Sequence, residues 1–155
     1  MENQPKPDLV IPVGHLPVLI NSAIAESMLQ TERRLENGEF EWRWRDGEGS
    51  TETQEWTAWS RSPPLDFFSD EKIAVKLLSK FCAQNGLTAE LQFVEGNWAG
   101  RIGRVTGEGQ AQIVGRPALM STMAQTICMM ICSVIKVDLA ARHRDLFPGH
   151  YLVLQ

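Results

Sequence analysis

The chain predicts an α+β fold: an antiparallel sheet of about five strands with three helices packed against it. Two observations carry this. The runs "TAELQFV", "NWAGRIGRV" and "GQAQIVG" follow one another across short turns, which implies antiparallel pairing. Three other stretches repeat apolar residues at helical spacing. The 155 residues suit one domain. A chain of this length buries enough surface to fold without a metal or a disulfide.

In chain order, residues 1–12 hold three prolines and predict an extended arm, followed by a domain over 13–141 and a tail over 142–155. Leu16, Leu19, Ile20, Ala23, Ile24, Met28 and Leu35 mark a first helix from Leu16 to Leu35, stopped by Asn37-Gly38. A strand follows in which Phe40, Trp42 and Trp44 share one face, and Glu41, Arg43 and Arg45 the other. "DGEGS" supplies a turn, and residues from Thr51 to Trp59 return. "SRSPPLDFF" is a connector, because two prolines cannot continue a ladder. Ser69 caps a second helix carrying Ile73, Ala74, Leu77, Leu78 and Phe81, which Asn85-Gly86 ends. The three-strand meander turns at Glu95-Gly96 and at Thr106 to Gly109. A third helix is expected from Pro117 to Ala141. The tail ends in "YLVL", which is apolar enough to pack on the body or on a partner.

No charge occurs between Pro117 and Ile135, a run that approaches the length of a membrane span. Ser121, Thr122, Gln125, Thr126 and Ser133 fall within it, several at i, i+4 spacing. That polar stripe suits burial within protein or at a subunit contact, and no membrane span is expected. The methionines of this helix suggest a homo-oligomer, since Met adapts to contacts.

The net charge of −4 argues against a binder of duplex nucleic acid, which draws its affinity from cations on phosphates. It leaves room for a small anion, which needs two or three local positive charges. The cysteines, Cys82, Cys128 and Cys132, are odd in number and on expected helices, which fits free thiols in a reducing cytoplasm. The N-terminus has no basic region ahead of a long apolar run, so no signal peptide is expected.

Two stretches carry candidate chemistry. The segment from Glu39 to Trp59 holds Trp42, Trp44, Trp56 and Trp59, but six acids there face only Arg43 and Arg45. A stacking platform for a polynucleotide needs a positive groove, which this stretch lacks. Trp42, Arg43, Trp44 and Trp56 are instead candidates for a partner contact, or Trp42 and Trp44 for the core. From Trp98 to Arg116, three arginines (Arg101, Arg104 and Arg116) face one acid, Glu108, among several glycines. Arginine pairs phosphate through a bidentate fork. Gly115-Arg116 falls where the third helix is expected to begin, and a helix N-terminus favours anions. Trp98 supplies a stacking surface. Trp98, Arg101, Arg104, Gly115 and Arg116 are the candidate ligand site.

Catalytic machinery is thin. His15, His143 and His150 have no nucleophile or metal ligand at motif spacing, and Cys128 and Cys132 lack a second pair to complete a zinc set. Glu48, Glu52 and Glu55 read as solvated hairpin charges. No enzyme, cofactor or metal is expected.

"SPPLDFFSDEKIAVKLLSKF", "NWAGRIGR" and "ALMSTMAQTICMMICSVIKV" together resemble the phage ABA-sandwich domain family, over roughly residues 55–140. The long first helix, the tryptophan hairpin and the tail depart from that layout. The resemblance implies a phage-encoded protein of a family mostly of unknown function, with no catalytic residue set to carry over; small phage proteins often counter host defences or bind host factors, which points to the cytoplasm of the host cell. The expected function is non-enzymatic sequestration of a small nucleotide-type signal. The alternative is a module that inhibits a host protein through the tryptophan hairpin.

Overall fold

A computed structural model describes residues 11–45, 55–63 and 65–147. A 3-10 turn at Val13–His15 leads into α1 (Leu16–Met28), then β1 (Gln30–Glu36) and β2 (Glu39–Arg45). After the connector come α2 (Glu71–Asn85), β3 (Thr88–Val94), β4 (Asn97–Val105), β5 (Ala111–Met120), α3 (Met123–Val134) and α4 (Leu139–Leu146). The α+β class is as expected. The single sheet of about five strands is not: β1 and β2 form one antiparallel sheet, and β3, β4 and β5 another. The described helices number four rather than three, apart from the 3-10 turn.

The first correction is at residues 30–36, expected to finish the first helix. They form β1, and Asn37-Gly38 is a hairpin turn with φ of 52° and 79°. Two consecutive left-handed residues match the right-handed twist of the strands they join. The register, Gln30↔Arg45 to Glu36↔Glu39, sets Glu32 opposite Arg43 and Arg34 opposite Glu41. Both pairs are salt-bridged. Those cross-strand pairs are available to the hairpin and not to a helix. The expected return segment runs along the other edge of β2, where Trp42 and Ser60 exchange hydrogen bonds of 2.7 and 2.8 Å. The "DGEGS" turn, residues 1–10, and residues 148–155 with Tyr151 to Leu154, lie outside the described residues.

Asp70, not Ser69, caps α2: its Oδ1 accepts from the Ile73 N–H at 3.2 Å. Gly86, in the left-handed conformation, ends the helix as expected. The meander also forms as expected, with its tight turn at Glu95-Gly96.

The second correction is at Pro117, expected at the first position of the third helix. It lies in β5, within a bulge. Gly100 pairs with Ala118 and Ile102 with Val114, so Gly115, Arg116 and Pro117 together oppose Arg101. A bulge tolerates a residue without an N–H. The helix begins at Met123, where Thr122 Oγ1 accepts from the Gln125 N–H at 3.2 Å. It does not run on to Ala141. It ends at Val134, and the chain turns through Lys136 (φ 59°) into α4, bent 99° from α3. Among the described residues no single helix is long and apolar enough to cross a membrane.

The main core joins α1, α2 and α3 to one face of the three-stranded sheet. Ile127, Met130 and Ile131 of α3 are essentially fully buried. Each contributes about 1.5–3 kcal/mol by leaving water. Met130 therefore serves the core rather than a subunit contact. It lies so close over Gly100 that a Cβ there would stand 2.6 Å from its sulfur. A smaller cluster gathers Leu19, Trp42 and Leu146, with Phe40 and Phe147 against it.

The start of the expected tail is also part of the body. Arg142 lies inside α4, and its guanidinium reaches Ser22 Oγ at 2.9 Å and the Leu19 carbonyl at 3.2 Å, and pairs with Glu26. Glu26 also meets Arg33 at 3.4 Å, so one carboxylate ties α1 to β1 and α4. Burial pushes the Arg142 guanidinium down from its ordinary value, and Asp145 partly offsets this.

Candidate functional site

The hairpin uses its aromatic and cationic groups internally. Arg34 lies over Trp59 at 4.2 Å, and Arg43 lies over both Trp59 and Trp56 at 4.8 Å. Arg45 lies over Trp56, also at 4.8 Å. The result is a ladder in the order Arg34, Trp59, Arg43, Trp56, Arg45. Each rung is worth about 0.5–1 kcal/mol where exposed. Trp42 points the other way and is only 2% exposed, so in this conformation it is core rather than a contact for a partner. Trp44 and Trp56 are half-buried.

The candidate ligand residues separate. Strand alternation puts Trp98, Gly100, Ile102 and Arg104 on one side of β4 and Arg101 on the other. Trp98 packs against Phe93 at 5.4 Å, and its carbonyl accepts from Thr126 Oγ1 at 2.8 Å. Arg101 is held by Glu90 at 2.7 Å on the exposed face of the sheet. Gly115 and Arg116 are not at a helix N-terminus, because the bulge keeps them in β5. They meet the opposite end of α3 instead. The Arg116 N–H donates to Ser133 Oγ, and a Cβ on Gly115 would stand 2.9 Å from that oxygen and 3.0 Å from Val134 Cγ2. Gly115 also has φ of 72°, so both conformation and space require glycine.

That close approach forms a cleft of about 580 Å³ between the β5 bulge and the α3–α4 corner. Met129, Cys132, Val137 and Leu139 give it apolar walls, and Arg116, Lys136, Ser133 and Asp138 give it polar ones. The Asp138 carboxylate accepts from the Ala141 N–H at 3.1 Å as the cap of α4. Arg116 and Lys136 are both exposed and form no ion pair among the described residues. The size is that of a small-molecule site, where most ligand pockets occupy about 300–1,000 Å³. Of the five residues read as a ligand site, only Arg116 lines this cleft. Lys136 was not singled out, although it is the first charge after the long uncharged run.

The histidines have a partner that motif spacing could not show. His15 Nδ1 lies 3.1 Å from His143 Nε2, across 128 residues of sequence. Phe147 stacks on His15 at 3.9 Å. Neither histidine lines the cleft. Among the described residues no group of three or more His, Cys, Asp or Glu side chains could hold a metal ion.

Cys128 and Cys132 are buried in α3. Burial pushes the Cys132 thiol up to about 12, and burial together with Cys132 and Asp66 pushes Cys128 up as well. A thiol reagent at mildly alkaline pH is expected to modify the half-buried Cys82 first. Cys128 and Cys132 should react only on unfolding, since the thiolate is the nucleophile. Stopped-flow labelling with and without denaturant checks this, and fast modification of all three in the native protein would contradict it.

Comparison with family models, with curated proteins and with solved structures returns no match.

Proposed function

We propose that this chain is a non-enzymatic binding protein that retains a small anionic molecule of nucleotide type in the cleft between the β5 bulge and the α3–α4 corner. The observation that carries the reading is the pairing of Arg116 and Lys136, without ion-pair partners among the described residues, on a ligand-sized cleft with apolar walls. A phosphate takes the two cations, with the forked guanidinium giving bidentate contact. A base or other flat apolar group lies against Met129, Val137 and Leu139. The cleft contains a hydroxyl, Ser133, and a carboxylate, Asp138, but that carboxylate caps α4 and the paired histidines lie elsewhere. This favours holding a ligand over converting it. If the chain acts in a phage-infected cell, as its resemblance implies, retention would withdraw a nucleotide signal from host defence. The alternative, inhibition of a host protein through the hairpin, has against it the burial of Trp42 and the stacking of Trp56 between Arg43 and Arg45.

The test is equilibrium dialysis against a panel of cyclic and ADP-ribose-type nucleotides, followed by heating and mass spectrometry of what is released. The expected result is retention of one class, returned unaltered. The combined Arg116→Glu and Lys136→Glu substitutions remove two charged contacts of about 1.5–3 kcal/mol each, so affinity falls by at least about a hundredfold. Arg104→Ala leaves it unchanged. Retention that ignores the double reversal would move the site, and a chemically altered nucleotide would make the protein an enzyme.

A further inference from the structure

Helices α2 and α3 end in the same hydrogen-bonded turn, with different residues at its left-handed position. In α2 the Leu87 N–H donates back to the Cys82 carbonyl at 2.9 Å, and in α3 the Val137 N–H donates back to the Cys132 carbonyl at 3.0 Å. The residue before each donor turns left-handed: Gly86 in α2, with φ of 64°, and Lys136 in α3, with φ of 59°. A Cβ in that conformation crowds the following carbonyl, which glycine avoids. The negative end of α3 does not explain the lysine, because any position of the last turn would present a cation to it without a left-handed backbone. A conformational cost borne on the wall of a cleft points instead to a task for the side chain that bears it.

We propose that stability is given up at Lys136 to fix the charge of the ligand: with Arg116 it selects a molecule that presents two or more negative charges at one end, a terminal phosphate or a diphosphate, over a singly charged phosphodiester. This rests on the reading of the cleft as an anion site. A guanidinium fork alone matches one phosphodiester charge. The second cation is what a doubly charged end requires, and the fold holds the two in fixed relation. The Arg116 N–H is bonded to Ser133 Oγ, one turn before Lys136 on the same helix end. Asp138, the acid on the cleft, is engaged with the Ala141 N–H at the N-terminus of α4, where the helix field offsets its charge.

Two small probes separate the ligand classes: inorganic pyrophosphate and dimethyl phosphate, at matched ionic strength and neutral pH. Thermal unfolding of the full chain reads both parts of the proposal, since a ligand of the folded state raises the melting temperature. Pyrophosphate is expected to raise it at least about three times as much as dimethyl phosphate does. Without any probe, Lys136→Gly is expected to melt about 2–4 °C higher than the unaltered chain. In that variant the pyrophosphate shift falls to the level of dimethyl phosphate. Lys136→Arg keeps both the original melting point and the preference. Glu95→Gly is the control for stability alone. Glu95 is also left-handed, with φ of 50°, but lines none of the clefts described. That variant is expected to melt higher and to keep the full pyrophosphate shift. No gain in stability in Lys136→Gly, a pyrophosphate shift that survives it, or equal shifts from the two probes in the unaltered chain would each overturn the proposal. Dialysis reads whole nucleotides and this measurement reads the phosphate end alone, so either can fail without the other.

Discussion

Trp42→Ala is expected to lower the stability of the fold by about 3–5 kcal/mol, the usual cost of removing a buried indole. Trp42 is 2% exposed, and its side chain fills the smaller cluster with Leu19 of α1 and Leu146 of α4. Its backbone also holds the edge of β2 against Ser60. Truncation therefore opens a cavity where three parts of the chain meet. Trp42→Phe is expected to cost much less. The buried indole N–H has no hydrogen-bond partner among the described residues, and an unsatisfied buried donor is itself worth about 1–3 kcal/mol of destabilisation. Phenylalanine removes that donor and keeps most of the apolar volume. Urea unfolding followed by circular dichroism measures both variants. A loss below about 1 kcal/mol for the alanine variant would mean that the smaller cluster does not unfold with the rest.

Arg142→Ala is expected to cost about 3 kcal/mol, because breaking a buried pair leaves the other charge uncompensated. The Arg142 and Glu26 side chains are 19% and 25% exposed, and Arg142 also supplies the donors that reach Ser22 and Leu19. Removing both charges together, as Arg142→Met with Glu26→Leu, is expected to recover much of the loss. The double variant leaves Arg33 exposed enough to be solvated, whereas the single variant leaves Glu26 with only its longer contact to Arg33. Thermal unfolding of the two single variants and the double gives the coupling. Strict additivity would show that the pair contributes nothing of its own.

The sequence was most legible where a local rule had no rival. The meander from Thr88 to Val105 follows from its alternation and the Glu95-Gly96 turn, and α2 follows from its apolar stripe and Gly86. It misled where one signal serves two structures. Asn37-Gly38 ends helices and also turns hairpins, and the partners that β1 finds across the turn, Glu32 with Arg43 and Arg34 with Glu41, lie outside any helical spacing. Pro117 opens helices and also sits in bulges. The correct start of α3 was nevertheless available: Thr122 with Gln125 three residues later is a capping-box spacing. The cleft itself was not available. Arg116 reaches the end of α3 only because a two-residue excess in β5 turns the strand there, and Lys136 joins it only because the chain reverses after Val134. Neither event has a local signature. The Trp–Arg ladder was half visible: the residue types were plain, but their use of one another as partners depends on which edge of β2 the return segment occupies.

The separation of the two sheets also affects the route to the folded state. Every strand pairs with a neighbour in sequence, so each hairpin closes a short loop and can assemble early at little entropic cost. The first helix is in the opposite position. Its polar contact to α4, Ser22 with Arg142, spans 120 residues, and that of the 3-10 turn before it, His15 with His143, spans 128. During synthesis α1 precedes α4, so its contacts to that helix wait for the residues between them. The docking of α1 against α4 is therefore expected to follow the closure of the hairpins.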